Sequence, residues 1–250
     1  MEGHLSALDT DIAGYLIDLD GTLISGRTVL ADAAWLLERA AGRFILVSNN
    51  SEHTPEQLAR QLRHLGLRIT PEQIVLAGTA ALERIARTSP GARLLLLGSA
   101  ALANYARKLG LELVSKAEAD IVLVTRDRKF TYARLALATE ALSLGARLVV
   151  ACPDRSHPGP RRQPVPEAGA LAAALIATTG IEHYEVIGKP EPLLFETACR
   201  RLGIEPRQGL MIGDNSETDG AGARRLGMAF ALVRNGQIRH HFSDELQVAV

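Results

Sequence analysis

The chain has 250 residues, 47% of them hydrophobic and 22% charged, with 28 Lys plus Arg set against 28 Asp plus Glu. A formal net charge of zero excludes a global field for nucleic acid or an anionic membrane surface, so an anionic substrate has to be held by local groups. No apolar stretch is long enough to span a bilayer, Met1 to Asp11 lacks a basic-then-apolar leader pattern, and Cys152 and Cys199 read as reduced thiols, so the expectation is a cytoplasmic protein.

The first element is a buried strand over Ala13–Leu19, a short apolar run that ends in Asp18-Leu19-Asp20-Gly21-Thr22. Leu30–Ala41 has helical spacing, with Ala33, Leu36, Leu37 and Ala40 on one face and Gly42 as its stop. Arg43–Val47 is a second buried strand, leading into Ser48-Asn49-Asn50-Ser51. Thr54-Pro55-Glu56-Gln57 has the residues of a capping box and opens a helix to Leu65, and Thr70-Pro71-Glu72-Gln73 repeats that start for a shorter one.

From Gly78 the α/β alternation continues as a separable block. Helices are predicted over Thr79–Thr88, Ala100–Leu109, Tyr132–Leu144 and Ala168–Thr179, and strands over Arg93–Leu97, Ile121–Thr125 and Arg147–Ala151. Cys152–Pro166 reads as irregular. Glu185–Ile187 is a short strand running into Gly188-Lys189-Pro190. The last block has a helix over Pro192–Leu202, a strand over Gly209–Ile212, an acidic exit at Gly213-Asp214-Asn215, a helix over Glu217–Leu226 and a strand over Met228–Val233. Such alternation argues for parallel sheets.

Four strand ends therefore carry polar groups: Asp18/Asp20, Ser48/Asn49, Lys189 and Asp214/Asp219. In a parallel sheet such ends converge on one edge, where ligands gather. Together they offer a nucleophile-capable carboxylate, a second acid, a hydroxyl, a cation and further carboxylates, as phosphoryl transfer to a carboxylate with a metal requires. Crowded acids repel one another unless a hard cation joins them, and oxygen donors suit Mg²⁺. Taken singly, each motif has a blander reading: Asp-Gly as a turn, Ser48 as a helix cap, Lys189 as a surface lysine, Asp219 as a helix-surface acid.

Their order and spacing resemble the haloacid dehalogenase superfamily. Asp18-Leu19-Asp20-Gly21-Thr22 matches its first motif, Ser48 its second, Lys189 its third, and Gly213-Asp214-Asn215-Ser216-Glu217-Thr218-Asp219 its fourth. The long insertion between the second and third motifs is similar to that of the NagD-like, 4-nitrophenylphosphatase-type subfamily. The resemblance implies an α/β fold: a Rossmann-like catalytic core over 1–77 and 185–250, and an inserted α/β specificity cap over 78–184, with hinges near Ala77-Gly78 and Tyr184-Glu185. It implies Asp18 as nucleophile and Asp20 as general acid/base. Ser48, Asn49 and Lys189 would bind the phosphoryl group. The Mg²⁺ ligands would be Asp18, the Asp20 backbone carbonyl, Asp214 and, through water, Asp219. A carboxylate at position 20 favours hydrolysis of a phosphomonoester over a persistent phosphoenzyme. The expected activity is phosphatase action on a small molecule such as a sugar phosphate or nucleotide monophosphate, with neither nucleic acid nor membrane as partner, and a homodimer through the cap by analogy. A phosphotransferase on the same core and a non-catalytic phosphometabolite-binding protein are the alternatives.

In the cap, Asp154 and Arg155 are the candidate specificity residues. Arg155, His157, Arg161 and Arg162 form either a substrate-facing patch or a solvated loop. Ala151-Cys152-Pro153-Asp154 departs from the Thr-Asn-Pro-Asp common in the subfamily, and Gly220 stands where an apolar residue often follows the last aspartate.

Overall fold

Short runs of Leu, Ile, Val and Phe form strands here because both faces of a parallel sheet are covered, so neither face needs polar residues. In the first such sheet the strand order is Ala229–Leu232, Gly209–Gly213, Gly14–Ile17, Phe44–Ser48, Ile74–Leu76. Gly14–Ile17 pairs in parallel with Gly209–Gly213 on one side and Phe44–Ser48 on the other, placing Ile17 beside both Ile212 and Leu46. Leu16, Ile17, Leu46, Met211 and Ile212 are all fully enclosed. The strand order reverses at Gly14–Ile17, the switch point at which a doubly wound sheet opens a crevice beyond its carboxyl edge. The computed structural model describes residues 12–158, 163–234 and 237.

The chain divides into two compact units. The first takes in residues up to Ser48, Leu58–Val75 and the chain from Lys189 onward; the second takes in Asn49–Gln57 and Leu76–Gly188. The second unit has its own parallel sheet, ordered Glu185–Val186, Arg147–Val150, Ile121–Val124, Arg93–Leu97, Glu112–Leu113. Its helices are Ala77–Thr88, Ala100–Lys108, Tyr132–Ser143 and Ala168–Thr179. Ser99 and Thr131 cap two of them, their hydroxyls accepting from Leu102 N at 3.2 Å and Arg134 N at 3.3 Å. Ala168–Thr179 is uncharged along its whole length and buries Ala172 and Leu175, while Ala173 and Ala177 face solvent.

The boundaries differ from those expected near 77/78 and 184/185 for local reasons. Glu185–Val186 adds to the edge of the second sheet beside Arg147–Val150, so the return to the first unit comes only at Lys189. Asn49–Gln57 is drawn into the second unit by its hydrogen bonds. Arg126 N donates to the Ser51 carbonyl at 3.2 Å and Oγ at 3.0 Å, Ser99 Oγ donates to the Glu52 carbonyl at 2.6 Å, and Gly78 N donates to the Asn50 carbonyl at 3.2 Å. The stretch read as irregular, Cys152–Pro166, contains an antiparallel hairpin of Ser156–Pro158 with Pro164–Pro166.

The capping signals act as expected. Thr54 N donates to Gln57 Oε1 at 3.1 Å and Gln57 N to Thr54 Oγ1 at 3.4 Å, opening the helix Pro55–His64. The second such signal yields only a 3₁₀ turn, Pro71–Gln73, because Ile74–Leu76 enters the sheet immediately afterwards. The expected helix over Glu217–Leu226 is instead a π-helical turn, Ser216–Gly220, followed by Ala221–Arg225. Gly220 and Gly222 serve close packing there. A Cβ on Gly220 would fall 2.9 Å from the Phe230 ring, and one on Gly222 would fall 2.3 Å from the ring of Phe195.

Candidate active site

Asp18 is the first residue after the central strand Gly14–Ile17, and its amide donates to the Ile212 carbonyl at 2.8 Å. The chain then turns tightly: Leu23 N and Ile24 N both donate to the Leu19 carbonyl, and Gly21 N donates to the Ile24 carbonyl at 2.7 Å. Gly21 is required twice over. Its φ is +84°, in the left-handed region, and a Cβ there would fall 1.9 Å from Asp214 Oδ2. The turn buries Thr22, whose hydroxyl donates to Asp18 Oδ2 at 3.4 Å, and leaves Asp20 exposed just beyond the buried Asp18.

Asp214 follows the neighbouring strand Gly209–Gly213, and Asp219 is the fourth residue of the π-turn. Asn215 caps that turn, its Oδ1 accepting from Glu217 N at 2.8 Å and Thr218 N at 3.3 Å. The Asn215 carbonyl accepts from both Asp219 N and Gly220 N, the second bond being the wider i to i+5 closure. That wider turn carries Asp219 inward until it is 1% exposed. Gly213 gives it room, since a Cβ there would lie 2.1 Å from Asp219 Oδ2.

Lys189 is buried among these acids. Its Nζ donates to Asp18 Oδ1 at 2.5 Å and to the Val47 carbonyl at 3.0 Å, and lies 2.6 Å from Asp219 Oδ1. Burial alone would push the ammonium down, but the carboxylates of Asp18 and Asp219 outweigh it and hold its pKa above the ordinary value. The acids are displaced as well. Burial pushes Asp219 up to about 7, with Lys189 opposing and Asp18 adding to the rise. Burial, then the nearby Asp18 charge, pushes Asp214 up to about 6.

Oxygen atoms of Asp18, Asp214 and Asp219 all lie within 4.8 Å of one another. Three carboxylates face one ammonium, and the raised values of two of them register the imbalance. A hard divalent cation with oxygen ligands answers both the charge and the donor set, and Gly21 and Gly213 keep the approach to these carboxylates clear of side chains. The residues fit Mg²⁺.

Of the residues expected at the site, Asp18, Lys189, Asp214 and Asp219 come together, and Ser48 ends the adjacent strand, buried. Lys189 reaches the cluster differently from expectation: the strand preceding it, Glu185–Val186, belongs to the second unit's sheet, so only three of the four polar strand ends leave the same sheet. Asn49 belongs to the second unit, where its Nδ2 donates to Asp154 Oδ2 at 2.9 Å. Arg155 is exposed, His157 Nδ1 lies 2.7 Å from Glu167 Oε1, and Arg161 and Arg162 lie outside the described residues. Sequence reasoning passed over Thr22 and the Val47 carbonyl as partners of Asp18 and Lys189. Thr22 was within reach as part of the first motif, but a backbone carbonyl leaves no trace in residue type.

A buried nucleophile-capable carboxylate, a lysine bridging two acids and a magnesium-type oxygen cluster at a switch point define a phosphate-ester hydrolase. A profile described as haloacid dehalogenase-like hydrolase matches residues 15–112, and a second, HAD-hydrolase-like profile matches 186–247. The 5'-nucleotidase YutF of Bacillus subtilis is 33% identical over 238 residues, 94% of this chain and 92% of that protein. The acid sugar phosphatase of Staphylococcus aureus is 33% identical over 225 residues, 89% of this chain and 86% of that protein. Among solved structures, a glycerol phosphate phosphatase from Mycobacterium tuberculosis in complex with magnesium matches with a TM-score of 0.83 and 33% identity, covering 91% of this chain and 69% of that one. The chain belongs to the haloacid dehalogenase-like hydrolases, as one of their magnesium-using phosphatases.

Proposed function

We propose that this protein hydrolyses small phosphomonoesters, of the size of a nucleoside monophosphate, sugar phosphate or glycerol phosphate, through a phosphoenzyme on Asp18. The observation that carries this reading is Asp18 held at the end of the central strand by Lys189 Nζ at 2.5 Å, with Asp214 and Asp219 oxygens within 4.8 Å. The first unit acts as the catalytic core. The second acts as the cap that selects the substrate, with Arg155 as its specificity residue.

An Asp18 carboxylate oxygen attacks phosphorus, and the bond from phosphorus to the ester oxygen breaks. Asp20, exposed one residue past Leu19, gives its proton to the leaving oxygen. A water then attacks the phosphorus of the aspartyl phosphate, Asp20 takes that water's proton, and inorganic phosphate leaves with Asp18 restored. Ser48, Asn49 and Lys189 hold the phosphoryl oxygens, and Lys189 offsets their charge. Mg²⁺, held by Asp18, the Asp20 carbonyl, Asp214 and, through water, Asp219, would supply Lewis-acid stabilisation of the phosphoryl oxygens. Thr22 fixes the direction of the Asp18 carboxylate, while the Leu19 and Ile24 carbonyls fix the turn that carries Asp20.

The test is phosphate release from 4-nitrophenyl phosphate with and without Mg²⁺. Asp18→Asn is expected to lose at least about a thousandfold in kcat/KM. Asp20→Asn is expected to turn over slowly and to accumulate acid-stable phosphoprotein. Wild-type activity in Asp18→Asn sinks the reading.

The free thiols of Cys152 and Cys199 support a cytoplasmic location. The uncharged helix Ala168–Thr179, with Ala173 and Ala177 outward, supports a homodimer through the cap. Sedimentation at micromolar concentration is expected to give twice the chain mass, and Ala173→Glu is expected to give the chain mass alone; a wild-type monomer removes the homodimer.

A further inference from the structure

Asp154 stands in the unusual loop of the second unit, where it looks like a substrate-facing acid. Its surroundings assign it a different task. One carboxylate oxygen accepts from Asn49 Nδ2 at 2.9 Å, across 105 residues of chain. A carboxylate only accepts, so this contact fixes which end of the Asn49 amide turns toward Asp154 and sends Oδ1 the other way. Oδ1 then packs on Gly188, where a Cβ would come within 2.5 Å of it and 2.9 Å of the Ala151 carbonyl. Gly188 N donates to that same carbonyl at 2.8 Å, so the Gly188 backbone is itself held.

The loop bearing Asp154 is equally constrained. Gly169 N donates to the Asp154 carbonyl at 2.9 Å. A Cβ on Gly169 would lie 2.2 Å from the Pro153 carbonyl oxygen and 2.6 Å from that of Asp154, so the loop rests directly on the start of the helix Ala168–Thr179. Cys152, 1% exposed, anchors the loop's other end. Thus the Asn49 amide is gripped between a glycine and a carboxylate, each fixed by backbone bonds. Asn49 directly follows Ser48, and Gly188 directly precedes Lys189.

We infer that Asp154 is a positioning residue: it acts on phosphate-ester turnover through Asn49, by holding its side-chain amide in one orientation, and does not itself meet the substrate. The inference rests on the phosphatase reading above and deepens it. It departs from the role of a direct specificity contact expected for Asp154 from sequence.

The experiment is a double-mutant cycle on the magnesium-loaded full chain, with 4-nitrophenyl phosphate as substrate and inorganic phosphate as competitive inhibitor. Asp154→Ala is expected to lower kcat/KM about tenfold and weaken phosphate inhibition, the scale of one hydrogen bond to a charged group. Asp154→Asn, which can still accept from Asn49, is expected to stay within about twofold of wild type. Asn49→Ala is expected to lose as much as Asp154→Ala, and the double variant no more than either alone. Multiplying losses in the double variant would mean that Asp154 contacts substrate independently, and would overturn the inference. So would an Asp154→Asn as impaired as Asp154→Ala, or an Asp154→Ala as active as wild type. A thermal unfolding midpoint for each variant separates a folding defect, which would follow Asp154→Ala with or without Asn49, from the coupling. Loss of the phosphatase reading shows elsewhere, as Asp18-independent turnover, so the two failures are distinct.

Discussion

Each unit of this protein gathers a partly buried cluster of charges, and the two clusters are built differently. In the first, Asp18, Asp214 and Asp219 face the single cation Lys189, and two of the three carboxylates are pushed up to about 6 and 7. In the second, Arg126 Nη1 lies 3.4 Å from Glu52 and 3.3 Å from Glu167. Glu52 also meets Arg128 at 3.7 Å, and Glu167 also meets His157 at 2.7 Å. Burial raises Glu167 too, with Arg126 and His157 opposing the rise and Asp154 adding to it. In the second cluster each of the two glutamates has an arginine within 4 Å. The first has more acids than cations, an imbalance that raises Asp214 and Asp219 and that a bound divalent cation would offset. Buried charge by itself therefore marks no site; an unbalanced sum of it does.

Removing the cation from each cluster sharpens the contrast. Lys189→Met removes the cation that Asp18 and Asp219 share, and is expected to cost about 3 kcal/mol of stability to urea in magnesium-free buffer. Part of that loss is expected to return on adding Mg²⁺, because binding to the folded state alone stabilises it. Arg126→Met is expected to cost about 2 kcal/mol, less because Glu52 and Glu167 keep Arg128 and His157 as partners and remain partly reachable by water. Here added Mg²⁺ is expected to recover no more than it adds to wild type. Equal recovery in the two variants would erase the distinction.

The smallest effect is expected at an exposed pair. Asp120 accepts from Arg93 N at 2.8 Å, Nε at 3.1 Å and Nη2 at 2.8 Å, and these hydrogen bonds hold its carboxyl down at about 2. A depressed carboxylate contributes stability above its unfolded pKa of about 4 and loses it as pH falls through about 2. The gap in urea midpoint between wild type and Asp120→Asn is therefore expected to be small at pH 6 and to close between pH 4 and pH 2. A gap independent of pH would leave the Asp120 charge without a role.

Much of the first cluster was legible in the residues, because its acids sit where apolar runs stop and such stops are visible. Ala168–Thr179 was legible to the residue, since Gly180 ends it in the left-handed region that favours glycine. What escaped depends on distant parts of the chain. Ile74–Leu76 and Glu112–Leu113 are too short to carry a period, and exist as strands only because a sheet edge accepts them. Glu185–Val186 looked like a route back to the first sheet, but its pairing partner was decided by Arg147–Val150. The Asn49–Asp154 bond joins residues 105 apart and leaves no mark in either local sequence. Asp219 was readable as an acid of the last motif, but its burial was not, because helical propensity says nothing about a turn that closes one residue late.

That late closure has a consequence for how the last motif tolerates change. Asp214 and Asp219 are five residues apart, and the i to i+5 bond from Gly220 N to the Asn215 carbonyl is what lets that stride end facing inward. An ordinary helical turn advances about 100° per residue. One residue more or fewer between the two acids would thus rotate the second carboxylate away by that angle, whichever residues filled the gap. The segment is locked in length more firmly than in composition: the exposed Ser216 and Glu217 can vary as surface residues do, but the number of residues cannot.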